Sequence, residues 1–349
     1  MRQVLLLGSP GTKRTVYLTR ETEETGVPLK LLDWNRFREE IHEGRGDRLF
    51  EGGQTFLKID PPLWDSCRLD QLEGLAGEYE KELDALCCLG KRQGISFLNH
   101  PRSIRELLDK RTCKDRLRKA GVPVTKALEE EIHNGEQLLE VMERESVPQV
   151  FLKPVKGSGA AGAAAFRYRK RTGQMALYTC GAEDPDTGCL VNTRRLRQFT
   201  DRRQVFSLLD RLLAVDCVAE RWYAKAEHRG FSYDLRAVIQ EGKVDVILAR
   251  LSKGPITNLH LNNHPLPVQD LDLPPGVLGQ VEALCERAAG QFQGLKSAGI
   301  DILLEKNTLR PRVIEMNGQG DLIYQDIYGE NIIYRRQAEM MKEWLYGKT

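Results

Sequence analysis

The stretch RPRVIEMNGQGDL, Arg310 to Leu322, decides how the second half of the chain is read. Val313 and Ile314 form the middle of an apolar strand. Glu315 and Asn317 then arrive on alternate positions, before Gly318 and Gly320 turn the chain. Alternate residues of a strand project to one face, so a carboxylate and a carboxamide stand side by side. Just upstream, AGIDILL (298–304) reads as another strand that carries Asp301, and EKNTLRP (305–311) reads as the turn between the two. An antiparallel hairpin closed near Asn307 brings Asp301 beside Glu315. Three oxygen donors, two of them anionic, form a hard-ligand set suited to Mg²⁺. This ion takes one or two carboxylates and completes its shell with water and phosphate oxygens. The competing reading is a solvated strand end, or a salt bridge to Arg310 or Arg312.

Working outward, CVAERWY and DLRAVIQEGKVDVILARLS are strands with tight turns, and GVLGQVEALCERAAGQFQ is a helix. PQVFLKPVKGSGAAGAAAFRYRK is a strand, a glycine-rich loop (156–162) and a second strand. Free of bulk, the loop presents backbone N–H groups that suit phosphate oxygens, and Lys153 ends the strand before it. A basic helix runs from Ser103 through IRELLDKRTCKDRLRKAG and stops at Gly121 and Pro123, after which VTKALEE reads as a strand and EQLLEVMERE as a helix. Residues 190–215, rich in Arg, read as a polar segment leading into a helix. At the N-terminal end, QVLLLGSPG and LKLLDW flank a helical stretch and suggest a βαβ start. GSPGTKRT (8–15) lacks the GxxxxGK[ST] pattern and reads as a first-strand turn. That turn and the one at Asn99–Arg102 are candidate substrate contacts.

The chain has 349 residues, enough for two or three compact units. With 52 basic and 50 acidic residues its net charge is +2, which gives no argument for nucleic acid or a membrane surface. No apolar run is long enough to span a bilayer. The eight cysteines are scattered without a CxxC, which fits a reduced, cytoplasmic chain and speaks against zinc. Cys87–Cys88 reads as a pair of small buried hydrophobes, with a redox pair as the alternative.

The ordered set Lys110, Lys153 with KGSGAAG, Glu220, Asp234-Leu-Arg236, Arg250 to Asn258, Asp301 and Glu315-Met-Asn317 resembles the ATP-grasp superfamily. In style it is similar to the ribosomal-protein glutamate ligases and their peptide-ligase relatives. The resemblance covers about residues 95–349. It implies an α/β (α+β grasp) fold: a small pre-ATP-grasp α/β domain (1–100), a lid subdomain (101–218) and a C-terminal subdomain (219–349) with the metal site. The two subdomains would sandwich ATP. The resemblance further implies that Lys110, Lys153, Lys156, Gly157, Ser158 and Gly159 meet the ATP phosphates. Glu220, Arg221 and Trp222 would form the adenine hinge, and Glu227 or Asp234 would take the ribose. Arg236, Arg250 and Lys153 would stabilise the transferred phosphate, with Asn258 nearby. Asp301, Glu315 and Asn317 would hold Mg²⁺, or Mn²⁺ in its place.

The activity implied is an ADP-forming ligase that joins a carboxylate, activated as an acyl phosphate, to an amine. The substrates would be amino acids or peptides, and a homodimer is one arrangement open to the chain. A kinase that stops at phosphoryl transfer and a non-catalytic nucleotide-binding scaffold are the alternatives. The cluster Arg194, Arg195, Arg197, Arg202 and Arg203 either receives an acidic substrate or is a solvated helix face balancing the acids of EDPD.

Overall fold

The computed structural model describes residues 2–64, 67–157, 160–261, 263–319 and 330–347. Ser158, Gly159, Gly320, Asp321 and Leu322, together with the side chain of Arg194, lie outside the described residues. The described strands fall into three sheets.

The first sheet is parallel, with β1 (Arg2–Gly8), β2 (Leu29–Asp33), β3 (Gln54–Ile59) and β4 (Ser96–Phe97) in the order β2-β1-β3-β4. Val4 to Leu7 are buried in succession, the unbroken apolar run expected where helices cover both faces. Helices α1 (Lys13–Thr25), α2 (Trp34–His42) and α3 (Leu72–Gln93) connect these strands. The helix Ile332–Tyr346 returns to this unit: Tyr334 lies 6.0 Å from Tyr17 and Trp344 lies 5.5 Å from Phe56 between ring centroids.

The basic helix expected from Ser103 onward is two helices, α4 (Pro101–Leu108) and α5 (Lys110–Lys119). Asp109 breaks them apart. Its backbone is extended and its carboxylate accepts the Thr112 N–H at 2.8 Å, so it caps α5 instead of continuing α4. Lys110 thereby opens α5, and Lys114 follows one turn later on the same face.

The second sheet holds β5 (Gln149–Pro154), β6 (Ala164–Arg169), β7 (Gln174–Glu183), β8 (Leu190–Phe199) and β9 (Cys217–Arg221). It is antiparallel in the order β8-β7-β6-β5-β9. Helices α6 (Gly135–Arg144) and α7 (Arg202–Leu213) share its buried core. Residues 190–199 are thus an edge strand and not an irregular polar segment. Charged residues are what an exposed edge carries, and here they hid the strand from the sequence. The expected boundary at 218/219 also falls inside β9, all of which pairs with β5.

The third sheet holds β10 (Glu227–His228), β11 (Phe231–Gln240), β12 (Lys243–Ser252), β13 (His264–Pro267), β14 (Ser297–Leu304) and β15 (Pro311–Asn317). Its order is β13-β12-β11-β14-β15, with β10 on β11. The β11–β12 turn places Glu241 at φ 47 and Gly242 at φ 81, the left-handed pair that a two-residue hairpin requires. Helix α8 (Val277–Ala289) buries Val281, Leu284 and Cys285 in the same core as Ala237 and Ile300.

VTKALEE, expected as a strand, forms only isolated bridges, but these join two sheets. Val124 pairs parallel to Val313 of β15, and Ala127 pairs antiparallel to Glu220 of β9. The Thr125 N–H donates to Val313 O (3.1 Å), and the Leu128 N–H donates to Ala219 O (2.9 Å). This strap sets the separation of the second and third sheets, and the cleft lies between them.

Candidate active site

The cleft holds a cavity of about 110 Å³. Its wall from the second sheet carries Phe151, Lys153, Glu220 and Arg221. The wall from the third sheet carries Asp234, Arg250, Asp301 and Glu315. Lys110, Gly157 and Asn258 reach in from α5 and two loops.

On the third sheet, β14 and β15 pair so that Asp301 lies directly opposite Glu315 and Gly299 opposite Asn317. Opposed residues share a face, so all three oxygen donors project from one side. The register shifts between Asp301 and Ile302, leaving Ile314 as the extra residue of a bulge. Asp301 is tightly held. Arg236 Nε donates to its Oδ1, and Arg250 Nη2 stands 3.2 Å from its Oδ2. Burial alone would raise the Asp301 carboxyl, but Arg236 and Arg250 outweigh it and keep it below the usual carboxylate range.

Glu315 is the more open carboxylate, with 22% of its side chain accessible and Lys110 Nζ at 3.6 Å. The salt bridge to Arg312 that competed in the sequence does not form; Arg312 pairs with Glu305 and lies 4.8 Å from the Tyr223 ring centroid. Among the described residues no three His, Cys, Asp or Glu side chains converge as a metal cage. Two opposed carboxylates plus a carboxamide nevertheless fit Mg²⁺, which leaves the rest of its shell to water and phosphate.

Arg250 Nε also donates to Asp234 Oδ1 (2.7 Å). The second Asp234 oxygen accepts Thr257 Oγ1, with Lys225 Nζ 3.3 Å away. Burial would raise Asp234, yet Arg250 and Lys225 hold it below its ordinary value. Its carboxylate is therefore held by protein donors, as that of Asp301 is. Glu227, the other candidate for the ribose, is exposed and pairs with Lys306 at 2.7 Å.

On the opposite wall Lys153 Nζ donates to Glu220 Oε2 at 2.9 Å, and Lys110 Nζ donates to the Gly157 carbonyl at 2.8 Å. Burial would lower Lys153, but Glu220 and Glu315 hold its ammonium above the ordinary value. Glu220 itself is buried. Burial pushes its carboxyl up while Lys114 and Lys153 pull it down to about 2.

Several expected residues have different partners. Lys156 pairs with Glu80 of α3 at 2.8 Å, away from the cleft. Trp222 packs on Phe151 (5.2 Å between centroids), and Gln149 takes both its N–H (3.1 Å) and its carbonyl (2.9 Å). Arg221 and Tyr223 line the cleft on either side of it. Arg236 acts on Asp301 from β11. Asn99, a candidate substrate contact, is buried with its carboxamide fully committed to backbone groups. Cys88 is exposed and Cys87 half-buried, so that pair is not a buried one.

Sequence reasoning missed Lys114, Thr125, Lys225 and Thr257. Lys114 had a signal, its i,i+4 spacing from Lys110. The other three owe their place to partners far along the chain.

No family model matches the chain, and no curated protein matches it. Solved structures do. The ATP-grasp ligase PsnB, complexed with its precursor peptide and AMPPNP, matches with a TM-score of 0.59 at 15% identity, over 97% of each chain. The macrocyclase MdnC of Microcystis aeruginosa MRC, bound with precursor peptide MdnA, gives 0.62 at 14% identity, over 98% of this chain and 100% of that one. The D-alanine–D-alanine ligase of Bacillus anthracis complexed with ATP gives 0.56 at 15%, over 98% of this chain and 96% of that one. The chain has the ATP-grasp fold.

Proposed function

We propose that this ATP-grasp chain is an ADP-forming ligase that activates a carboxylate as an acyl phosphate and joins it to an amine. The observation that carries the proposal is the charge layout of the cleft. Lys110 and Lys153 stand on one side of the cleft, and Arg250 with the Asp301–Glu315 pair stands on the other, Lys110 Nζ lying 3.6 Å from Glu315. Phosphoryl transfer asks the protein for position and charge neutralisation and needs no covalent nucleophile. Asp301, Glu315 and Asn317 would hold Mg²⁺, which supplies charge neutralisation at the phosphate oxygens.

The chain's own residues do the rest. Lys110 and Lys153 bind the phosphates, with Arg236 and Arg250 fixing Asp301 for the metal. Arg221 and Tyr223 form the edge that faces the adenine. A substrate carboxylate oxygen attacks the γ-phosphorus and ADP leaves; an amine nitrogen then attacks the acyl carbon and phosphate leaves. Gly157, Ala160, Ala161 and Ala163 line the cleft and shield the acyl phosphate from water.

PsnB and MdnC are solved with precursor peptides, and this supports an amino acid or peptide as the acceptor class. The test is a screen of amino acids and small peptides for nucleotide turnover. ADP and phosphate released only when both an acid and an amine are present is the result expected. ADP with a stable phosphorylated product and no free phosphate would make the chain a kinase. Binding of Mg·ATP without turnover on any pair would make it a scaffold.

A further inference from the structure

Lys114 stands one turn after Lys110 on α5 and is 9% exposed. Its Nζ donates to Glu220 Oε1 and to Thr125 Oγ1 (2.6 Å). Thr125 Oγ1 donates onward to Glu220 Oε2 (2.9 Å), the oxygen that also accepts Lys153 Nζ (2.9 Å). Four side chains thus close one buried cluster of two ammoniums and one carboxylate. Thr125, Glu220 and Lys153 line the cleft, and Lys114 meets them from α5.

We propose that Lys114 is a positioning residue for the nucleotide: by countering Glu220 from α5, it leaves the Lys153 ammonium available to phosphate. The inference rests on the nucleotide site proposed above. The reasoning is electrostatic. With Lys153 as its sole cation, the buried Glu220 carboxylate would hold that ammonium in a closed neutral pair, since attraction is strong away from water. A second ammonium on the other oxygen leaves the cluster with one net positive charge, facing the cleft through Lys153. Thr125 keeps the two lysines apart by accepting from one and donating to the carboxylate oxygen shared with the other.

The charged groups facing Lys114 are Glu220 on β9, Lys153 on β5 and Glu315 on β15, with Lys110 on its own helix. Burial pushes the Lys114 ammonium down to about 8, Glu220 opposing that fall and Lys153 adding to it. Its proton is present below that pH and is lost as pH rises through it. Nucleotide affinity should follow, high below pH 8 and falling above.

The experiment is a direct binding titration with Mg·ATP on the whole chain, comparing wild type, Lys114→Met, Lys114→Arg and the double variant Lys114→Met/Glu220→Gln. Lys114→Met should raise Kd about tenfold or more, the scale of a weakened charge-assisted contact. Lys114→Arg should bind like wild type and lose the fall in affinity near pH 8. The double variant should recover most of the affinity, because no carboxylate remains to capture Lys153. It also carries no buried unpaired carboxylate, so it reads out the idea even where Lys114→Met fails to fold. A purely structural lysine predicts no such recovery. A Lys114→Met protein with wild-type affinity, or a double variant as weak as the single, overturns the proposal alone. A wild-type chain that binds no Mg·ATP at millimolar concentration overturns the nucleotide site and this inference with it.

Discussion

Gly299 shows how a single missing side chain shapes the surroundings of Asp301. A Cβ built there would sit 2.7 Å from Arg236 Nη1, and also crowd its Cδ and Cζ at 3.4 Å. The guanidinium therefore lies over the space a side chain would fill, and from there reaches Asp301. Gly299→Ala should leave the fold intact but push Arg236 off Asp301. Displacements of about 1 Å at such a site cost on the order of 10²-fold in rate. Substrate-dependent ADP release should fall on that scale while the melting temperature stays within a few degrees. A Gly299→Ala protein with full turnover would show that Arg236 need not lie there. The Asp301–Glu315 pairing was legible in the sequence because a hairpin turn and a two-residue period fix it locally. The Gly299–Arg236 contact was not, because it crosses from β14 to β11. Gly318 was read as a turn residue. The structure gives it another reason, since a Cβ there would meet Leu107 Cδ1 at 3.0 Å.

Among elements, the β5–β6 loop lines the cleft through Gly157, Ala160 and Ala161, and it is fastened at several points. Lys156 pairs with Glu80, the Gly157 carbonyl accepts Lys110, and the Gly162 N–H donates to Asn192 Oδ1 at 3.2 Å. Gly162 is left-handed at φ 67, and an added Cβ would meet Pro154 Cγ at 2.7 Å. The proline ring cannot rotate away, and a left-handed non-glycine residue costs roughly 1–2 kcal/mol. Gly162→Ala should therefore shift the loop from Asn192 and raise KM for Mg·ATP several-fold, with a smaller change in kcat. Steady-state kinetics checks this, and an unchanged KM would remove the loop from nucleotide capture. Strands β5 and β6 were legible as two strand-like runs either side of a glycine-rich loop. β8 was not, since the arginines of an exposed edge imitate a polar loop. Nor was the strap at Val124–Ala127, whose two bridging partners are β15 and β9, each far away along the chain.

At the scale of the molecule, one buried side chain joins the first unit to the β14–β15 hairpin. Asn99 follows β4 and is 6% exposed. Its Oδ1 accepts the N–H groups of Lys296 (2.8 Å) and Ser297 (2.9 Å), where β14 begins. Its Nδ2 donates to the carbonyls of Ser297 and Gly318, each at 2.6 Å, the latter just past Asn317. The carboxamide is thus filled, and it ties the start of β14 and the end of β15, side by side at the open end of that hairpin, to the first unit. Gln319 adds a second tie, donating to Ile59 O at 2.9 Å and accepting from Tyr79. Asn99→Ala would leave buried backbone donors and acceptors unpaired, at about 1–3 kcal/mol for each group that water cannot reach. Thermal unfolding should fall by several degrees in the absence of ligand. Because Asn317 and Asp301 lose their common anchor, the stabilisation that Mg·ATP confers should shrink as well. A ligand at about 100 times its Kd contributes roughly 2.7 kcal/mol, so a weakened site is visible as a smaller shift in the midpoint. Asn99→Ala with a lower midpoint but an undiminished Mg·ATP shift would restrict Asn99 to stability. A diminished shift at saturating magnesium, restored by raising ATP further, is the outcome expected of an anchor that aligns the metal ligands from outside the cleft.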